Sequence, residues 1–231
     1  MAISDLLDFS QTAHAELFAD LQHPWEVLPR IGPYLTKNLR PDFHGTLLGA
    51  PYLSGDIFIG KGTVIENGAT LKGPIWIGEN CEIRSGAYLR GNVIAGDNVV
   101  LGNSCEFKNC ILFNGAQIPH FSYVGDSILG HRAHLAAGVI LSNMRLDQQP
   151  VTVQTTGGIV HTGLRKFGAV VGDFAEIGCN AVLSPGSIIG RRSLLYPGTQ
   201  WRGVLGENKI VRLRQEIDVL ERRSERKVSI D

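Results

Sequence analysis

The chain has 231 residues, of which 43% are hydrophobic and 19% are charged, and its 22 basic and 22 acidic side chains leave no net charge. Without a global positive field the chain is not expected to bind nucleic acid or an anionic membrane surface, so any anion site must be local. No window approaches the roughly 20 apolar residues of a membrane span and the N-terminus is unlike a signal peptide, which predicts a cytoplasmic protein.

Residues 1–45 are predicted to form a helical segment, because apolar residues recur there near helical spacing. Ser4 and Asp5 are suitable N-cap residues for a first helix. Pro24 is expected to open a second short helix, which Gly32 and Pro33 would end.

The central part of the chain repeats with a period of six. From Ile59 the hexads read IGKGTV, IENGAT, LKGPIW, IGENCE, IRSGAY, LRGNVI, AGDNVV, LGNSCE and FKNCIL. Their first position is apolar from Ile59 to Phe113, the second is often glycine, and the fifth is usually small. Two more hexads begin at Leu129, and a last block runs from Val171 to Trp201.

A six-residue period predicts an all-β fold, a parallel β-helix in which each hexad forms one flat side of a triangular coil. First-position side chains would point inward and stack on their equivalents one coil away. We expect roughly six to seven coils over residues 46–205, with helices at both ends that shield the open sheet edges. The repeat matches neither the spacing of an amphipathic helix nor the alternation of a sandwich strand.

Two interruptions and one tail stand outside this repeat. The register slips around residues 114–128, where the sequence reads IPHFSYVGD from Ile118. The segment 144–168 is too long for a corner and predicts an excursion with a β-hairpin near Thr156–Gly158. Residues 206–231 are expected to form a C-terminal helix and tail, since Asn208 to Arg226 has an amphipathic pattern.

The stretch FKNCILFNGAQIPHFSYVGDSILGHRAHLAAGVILSN resembles the acetyltransferase domain of the bacterial bifunctional N-acetylglucosamine-1-phosphate uridylyltransferase/glucosamine-1-phosphate acetyltransferase. In that family a lysine lies twelve residues before the histidine of a GHLTY-GD motif, and an INIGAGTI-CNYDG segment follows. The resemblance covers residues 83–200, with a gapless core from Arg90 to Asn143. It implies a left-handed β-helix, and the residues before 46 leave no room for the uridylyltransferase half.

The resemblance also implies a set of site residues. His120 corresponds to the general base, a role that suits an imidazole because its pKa lies near neutral. The residues that correspond to substrate contacts are Arg90, Lys108, Tyr123, Asn143 and Lys166. Arg90 and Lys108, eighteen residues apart, are expected to stack one coil apart and to hold a sugar phosphate.

The function implied is transfer of an acetyl group from acetyl-CoA, as co-substrate, to an amino or hydroxyl group of a sugar 1-phosphate or nucleotide sugar. A homotrimer with sites between neighbouring prisms is expected. Four cations near the end of the repeat are candidates for the coenzyme A phosphates: Arg191, Arg192, Arg202 and Lys209. Glu106, on the same edge as Lys108, is a candidate for orienting His120.

The sequence departs from the family at three points. Pro119 replaces the glycine before the base, Met144 replaces a tyrosine, and Tyr196–Pro197 replaces an alanine pair where coenzyme A would thread. Two alternatives therefore stay open. One is a non-catalytic module that binds sugar phosphates or nucleotide sugars, with a separate nucleotidyltransferase as its partner. The other is a carbonic-anhydrase-like metal site at His131 and His134, although these histidines lack the spacing of a carbonic-anhydrase zinc site, so no metal is expected.

Overall fold

Three parallel β-sheets, named A, B and C in the order in which the chain enters them, form the walls of a prism. The protein is described by a computed structural model, which covers residues 2–221. Sheets A and B have nine strands each and sheet C has eight, because each coil contributes one strand to each sheet in turn except the last, which has none in sheet C. The predicted all-β, left-handed parallel β-helix is confirmed, with about nine coils instead of six to seven.

The strands are two to four residues long. Those of sheet A are Asp42–Phe43, Ile57–Ile59, Ile75–Ile77, Val93–Ala95, Cys110–Leu112, Ile128–Leu129, Ala169–Val171, Ser187–Ile189 and Val204–Leu205. Those of sheet B are Thr46–Leu47, Val64–Ile65, Glu82–Ile83, Val100–Asn103, Gln117–His120, His134–Leu135, Glu176–Ile177, Leu194–Leu195 and Ile210–Val211. Those of sheet C are Tyr52–Ser54, Thr70–Lys72, Tyr88–Arg90, Glu106–Lys108, Tyr123–Gly125, Ile140–Leu141, Val182–Leu183 and Gln200–Trp201.

The first-position residues fill the inside of the prism. Ile59, Ile77 and Ala95 lie in register on adjacent strands of sheet A and are fully buried. The glycines that follow them allow the coils to approach closely at the corner. A Cβ atom on Gly60 would lie 2.4 Å from the carbonyl oxygen of Gly78, which a real side chain does not tolerate. The small residue at the second position is therefore a packing requirement of the stacked coils.

The register slip occurs at two corners: the one at Asp126 lies within the predicted range 114–128, and the one at Asn109 precedes it. Most coils contain eighteen residues, but Val93 pairs with Cys110 and Glu106 pairs with Tyr123, each seventeen residues later. One residue is missing at each of two successive corners between sheets C and A. As a result Leu112 is the inward residue on its coil, whereas Phe113, predicted to be inward, packs outside sheet A.

The N-terminal segment forms short helices. The structure has four 3₁₀ helices and one α-helix in this region, at Ile3–Asp5, Phe9–Gln11, Ala15–Phe18, Pro24–Arg30 and Ile31–Asn38. The α-helix contains Gly32 and Pro33, so the prediction that these two residues end a helix is wrong. Pro33 is tolerated because it lies in the first turn, where a backbone N–H has no partner within the helix.

The N-terminal segment covers the outer face of sheet A and does not shield an end of the prism. Leu6, Trp25 and Ile31 are buried there against outward-facing residues of the sheet such as Ile94 and Ile128. This packing cannot be predicted from the hexads, because the repeat does not distinguish the outward-facing positions of one sheet from those of the other two. The cover makes sheet A an interior wall of the molecule.

The predicted C-terminal helix is not present in the described part of its range. Ile210–Val211 extends sheet B, and residues 212–221 have no regular secondary structure. A single helix of this length is marginal in water unless its apolar stripe is packed, and Leu213, Ile217 and Leu220 are exposed. The rest of the predicted helix lies outside the described residues.

The excursion contains an antiparallel hairpin of strands Thr152–Thr155 and Gly158–His161. Val151, Val153 and Phe167 are buried against the N-terminal cover and the outer face of sheet A. The hairpin and the N-terminal segment thus share one apolar cluster. Among residues 2–221, no helix is long and apolar enough to cross a bilayer.

Candidate active site

The outer face of sheet C carries a row of cations at the edge where the chain turns into sheet A. Lys72 is in register with Arg90, and Lys108 is in register with Gly125 one coil further on. Adjacent strands of a sheet lie about 4.8 Å apart, so these cations are near neighbours. The structure therefore brings together Arg90 and Lys108, as their eighteen-residue spacing predicts.

Asp126 connects the polar side chains of this edge through hydrogen bonds to its carboxylate, and it was not identified from the sequence. Its carboxylate accepts hydrogen bonds from Lys108 Nζ at 3.2 Å, Asn109 Nδ2 at 2.9 Å and Asn143 Nδ2 at 2.6 Å. The side chain of Asp126 is only 6% exposed, and that of Lys108 is 24% exposed. The aspartate follows Tyr123 in the GD pair of the quoted motif, which was the signal available in the sequence.

Tyr123 and Asn143 complete this cluster. Asn143 Nδ2 donates to Tyr123 Oη at 3.0 Å as well as to Asp126. The tyrosine ring folds back over Gly125, where a Cβ atom would lie 2.3 Å from Tyr123 Oη. Burial, followed by the nearby Asp126 carboxylate, raises the pKa of Tyr123, so the phenol stays protonated and able to donate.

Arg90 lies above Glu106 on the exposed side of the face. Arg90 Nη1 and Glu106 Oε1 are 2.8 Å apart, with side-chain exposures of 45% and 32%. Glu106 was a candidate for orienting His120, but its carboxylate is directed to the arginine instead. An exposed pair of this kind contributes little to stability, so it leaves the guanidinium available to an anion.

His120 lies at the other end of the same face, at the corner between sheets B and C. It ends the strand Gln117–His120, is exposed, and is paired in register with Asn103. Its ring lies 6.1 Å from that of Phe121, which is 60% exposed. Pro119 approaches the neighbouring coil so closely that a Cβ atom on Gly102 would lie 2.0 Å from the proline carbonyl carbon. The backbone before the histidine is thus packed tightly against the neighbouring coil.

Lys166 is exposed where the excursion returns to the prism. The next residue, Phe167, donates its N–H to the carbonyl oxygen of Asn143 at 2.8 Å, and Gly168 donates to that of Asp126 at 2.8 Å. The backbone of Lys166 is therefore anchored beside the cluster. The structure brings this lysine to the same edge as Lys108, although the two are far apart in sequence.

A groove of about 470 Å³ adjoins the cluster on its other side. It lies between the first residues of the excursion and the later strands of sheet C, and Ser142 and Met144, which flank Asn143, form part of its wall. Of the four cations proposed for coenzyme A, only Arg202 lines this groove. Arg191 is held by the buried Asp173 at 3.0 Å, and Arg192 lies 5.8 Å above the ring of Phe174.

His131 and His134 have other partners. His134 Nδ1 is 2.7 Å from Glu176 Oε2, and His131 Nδ1 is 2.7 Å from the carbonyl oxygen of Asn114. Within residues 2–221, no group of three histidine, cysteine, aspartate or glutamate side chains is arranged to hold a metal ion.

A family profile described as the GMPPB C-terminal domain matches residues 71–162. The bifunctional protein GlmU of Methanococcus vannielii is 34% identical over 197 residues, which are 84% of this chain and 47% of that protein. A bifunctional sugar-1-phosphate nucleotidylyltransferase/acetyltransferase of Sulfurisphaera tokodaii is 38% identical over 98 residues, 42% of this chain and 24% of that protein.

Among solved structures, the UDP-N-acetylglucosamine acyltransferase of Arabidopsis shares 12% identity over 73% of this chain and 67% of that one, with a TM-score of 0.41. The resemblance to the bifunctional uridylyltransferase/acetyltransferase is confirmed by the sequence relatives. The chain spans about half the length of the curated relatives it matches.

Proposed function

We propose that the protein is an acetyltransferase that moves an acetyl group from acetyl-CoA to an amino or hydroxyl group of a phosphorylated sugar. The observation that supports this most directly is the pairing of a cationic edge, Arg90 and Lys108, with an adjoining groove that contains Arg202. The edge suits the acceptor's phosphate, and the groove suits the acyl donor. Relationship to bifunctional proteins with an acetyltransferase activity supports the same assignment.

In the proposed reaction, His120 takes a proton from the acceptor nitrogen or oxygen, which attacks the thioester carbonyl. A bond from the acceptor atom to the acetyl carbon forms, the carbon–sulfur bond breaks, and the thiolate of coenzyme A leaves with the proton that His120 held. Tyr123 lies along the face between His120 and Lys108 and offers a protonated phenol to the sugar. Asp126 holds Lys108 and Asn143 in position.

A homotrimer fits the surfaces that remain open. In the described residues the outer face of sheet A is covered by the N-terminal segment and the hairpin, whereas those of sheets B and C are not. Two free faces that meet at the His120 corner allow three prisms to pack around one axis, with each site between neighbours. The proposed setting is the cytoplasm, with a separate nucleotidyltransferase as a further partner.

One observation favours a second candidate, a non-catalytic module that binds sugar phosphates. The hydrogen bonds of His120 among residues 2–221 are all made by its backbone, so no carboxylate sets the tautomer of its ring. A base in a resting site is often completed only by substrate, which keeps the acetyltransferase as the first proposal. The two functions differ in whether acetyl-CoA is bound and consumed.

Thermal stabilisation and turnover test the proposal together. We expect both acetyl-CoA and glucosamine 1-phosphate to raise the melting temperature of the wild-type protein, because each binds only the folded state. His120→Ala should keep both shifts and lose acetyl transfer by about 10² to 10⁴-fold. His161→Ala, which removes another exposed histidine from the hairpin, is the matched control and should transfer normally.

Stabilisation by glucosamine 1-phosphate without acetyl-CoA would favour the binding module. If neither ligand shifts the melting temperature of the wild-type protein, the acetyltransferase proposal is wrong.

A further inference from the structure

The cationic edge of sheet C continues one coil beyond the pair assigned to the sugar phosphate. Lys72 is in register with Arg90, on the coil on the side away from Lys108. The three cations Lys72, Arg90 and Lys108 thus form one row with a spacing of about 4.8 Å between coils. The family resemblance assigns no role to Lys72.

The three cations differ in their partners. Arg90 is paired with Glu106 and Lys108 with Asp126, at 2.8 Å and 3.2 Å. Lys72 has no carboxylate within 4.0 Å among residues 2–221, and its side chain is exposed. The end of the row therefore carries an uncompensated positive charge next to the phosphate site.

Tyr88 holds this lysine over the face. Lys72 Nζ lies 3.4 Å from Tyr88 Oη and 5.2 Å from the centre of its ring. The tyrosine lies on the strand that carries Arg90, and it is half-buried. A cation–π contact restrains a flexible lysine without neutralising it, so the ammonium group stays available to an anion.

We infer that Lys72, supported by Tyr88, binds the second phosphate of a diphosphate, and that the acceptor is a nucleoside diphosphate sugar. This inference rests on the proposed function, because it requires the first phosphate to lie at Arg90 and Lys108. The sugar then extends along sheet C toward Tyr123 and His120, and the nucleoside extends past Lys72 toward the first coils.

The spacing of the row supports a diphosphate over a single phosphate. Lys72 and Lys108 lie two coils apart, about 9.6 Å, so a monophosphate at Arg90 and Lys108 would not extend to Lys72 as well. A diphosphate consists of two phosphoryl groups joined by one oxygen and spans cations on neighbouring coils. Ammonium–phosphate hydrogen bonds are charge-assisted, so each makes a substantial contribution to affinity.

Isothermal titration of wild-type protein with glucosamine 1-phosphate and with UDP, dTDP, CDP, ADP and GDP tests the inference. We expect at least one diphosphate to bind the wild-type protein. Lys72→Gln should weaken that binding about tenfold, as the loss of one hydrogen bond to a charged group predicts, and should leave glucosamine 1-phosphate within about twofold. Lys61→Gln is the matched control, since Lys61 is also exposed but lies at the corner between sheets A and B.

The outcomes separate this inference from the proposed function. If glucosamine 1-phosphate binds while none of the five diphosphates does, or if Lys72→Gln and Lys61→Gln bind the diphosphate equally well, the inference is overturned and the proposed function stands. If none of these ligands binds and acetyl-CoA does not bind either, the proposed function fails and the inference fails with it.

Discussion

The outer faces of sheets A and C rest on the same inward-facing repeat but have opposite surroundings. On sheet A the outward residues Ile94, Ile111 and Ile128 are fully buried beneath the N-terminal segment. On sheet C the equivalent positions include Tyr88, Glu106 and Tyr123, which remain accessible. The inward repeat therefore fixes the prism, and the outward positions decide which wall is structural and which can bind a ligand.

The largest expected effect on the free energy of unfolding comes from a charge placed on the covered face of sheet A. Ile94→Asp should lower the free energy of unfolding by about 4 kcal/mol or more, because it removes a buried apolar side chain and buries a charge without a partner. Ile140→Asp places the same charge on the outer face of sheet C, where the isoleucine is 37% exposed, and should cost less than about 1 kcal/mol. Urea unfolding of both variants measures the contrast, and equal losses would contradict it.

The next effect concerns the buried carboxylate of the sheet C edge. Asp126→Ala should lower the free energy of unfolding by about 3 kcal/mol, because it removes a buried partner of Lys108, Asn109 and Asn143. It should also weaken binding of glucosamine 1-phosphate, since Lys108 is no longer held in place. Asp56→Ala changes an exposed aspartate at the same kind of corner on an early coil and is the control. Unchanged binding in Asp126→Ala would show that this carboxylate does not organise the site.

The covered face of sheet A is also expected to make the stability of the fold depend on pH. His14, in the N-terminal segment, is buried between Tyr34 of the same segment and Trp76 of sheet A, and this burial lowers its pKa to about 4. The folded state favours the neutral imidazole. The stability that this contributes to the fold is therefore fully present above the ordinary pKa of 6.5 and is lost as the pH falls toward 4.

Between pH 7 and pH 5 the free energy of unfolding should fall by about 2 kcal/mol on account of this residue. His14→Gln keeps a hydrogen-bonding group for Tyr34 and should remove that part of the pH dependence. Parallel unfolding curves at the two pH values check the result, and the same slope in both proteins would exclude His14 as the cause.

The smallest effect lies on the open face. Glu106→Gln removes the partner of Arg90, and because the pair is exposed the free energy of unfolding should change by less than about 0.5 kcal/mol. Freed from its carboxylate, Arg90 should bind glucosamine 1-phosphate slightly more tightly. Titration calorimetry would measure this gain, and weaker binding would show that the pair is needed to position the guanidinium.

The candidate site was predictable where a residue type and a spacing together imply a position. The eighteen-residue separation of Arg90 and Lys108 placed them on adjacent coils, and the register bears this out. Asp126 could not be recognised as the centre of the cluster, because its partners come from the preceding coil, Lys108 and Asn109, and from the following one, Asn143. Lys166 was the least constrained, since the path of the long excursion back to Asn143 depends on hydrogen bonds that leave no periodic signal.

The amino-acid sequence by itself determined the β-helix, since stacked coils demand an apolar residue and a small one at fixed intervals. It determined neither the number of coils nor the corners at which the register slips. The corners at Asn109 and Asp126 are each one residue shorter than those of earlier coils, and the hexads around them can be assigned in two ways. Only the tertiary structure decided that the N-terminal segment covers sheet A. This cover forms because apolar side chains from distant parts of the chain pack together, and it leaves the cationic edge of sheet C open to a ligand.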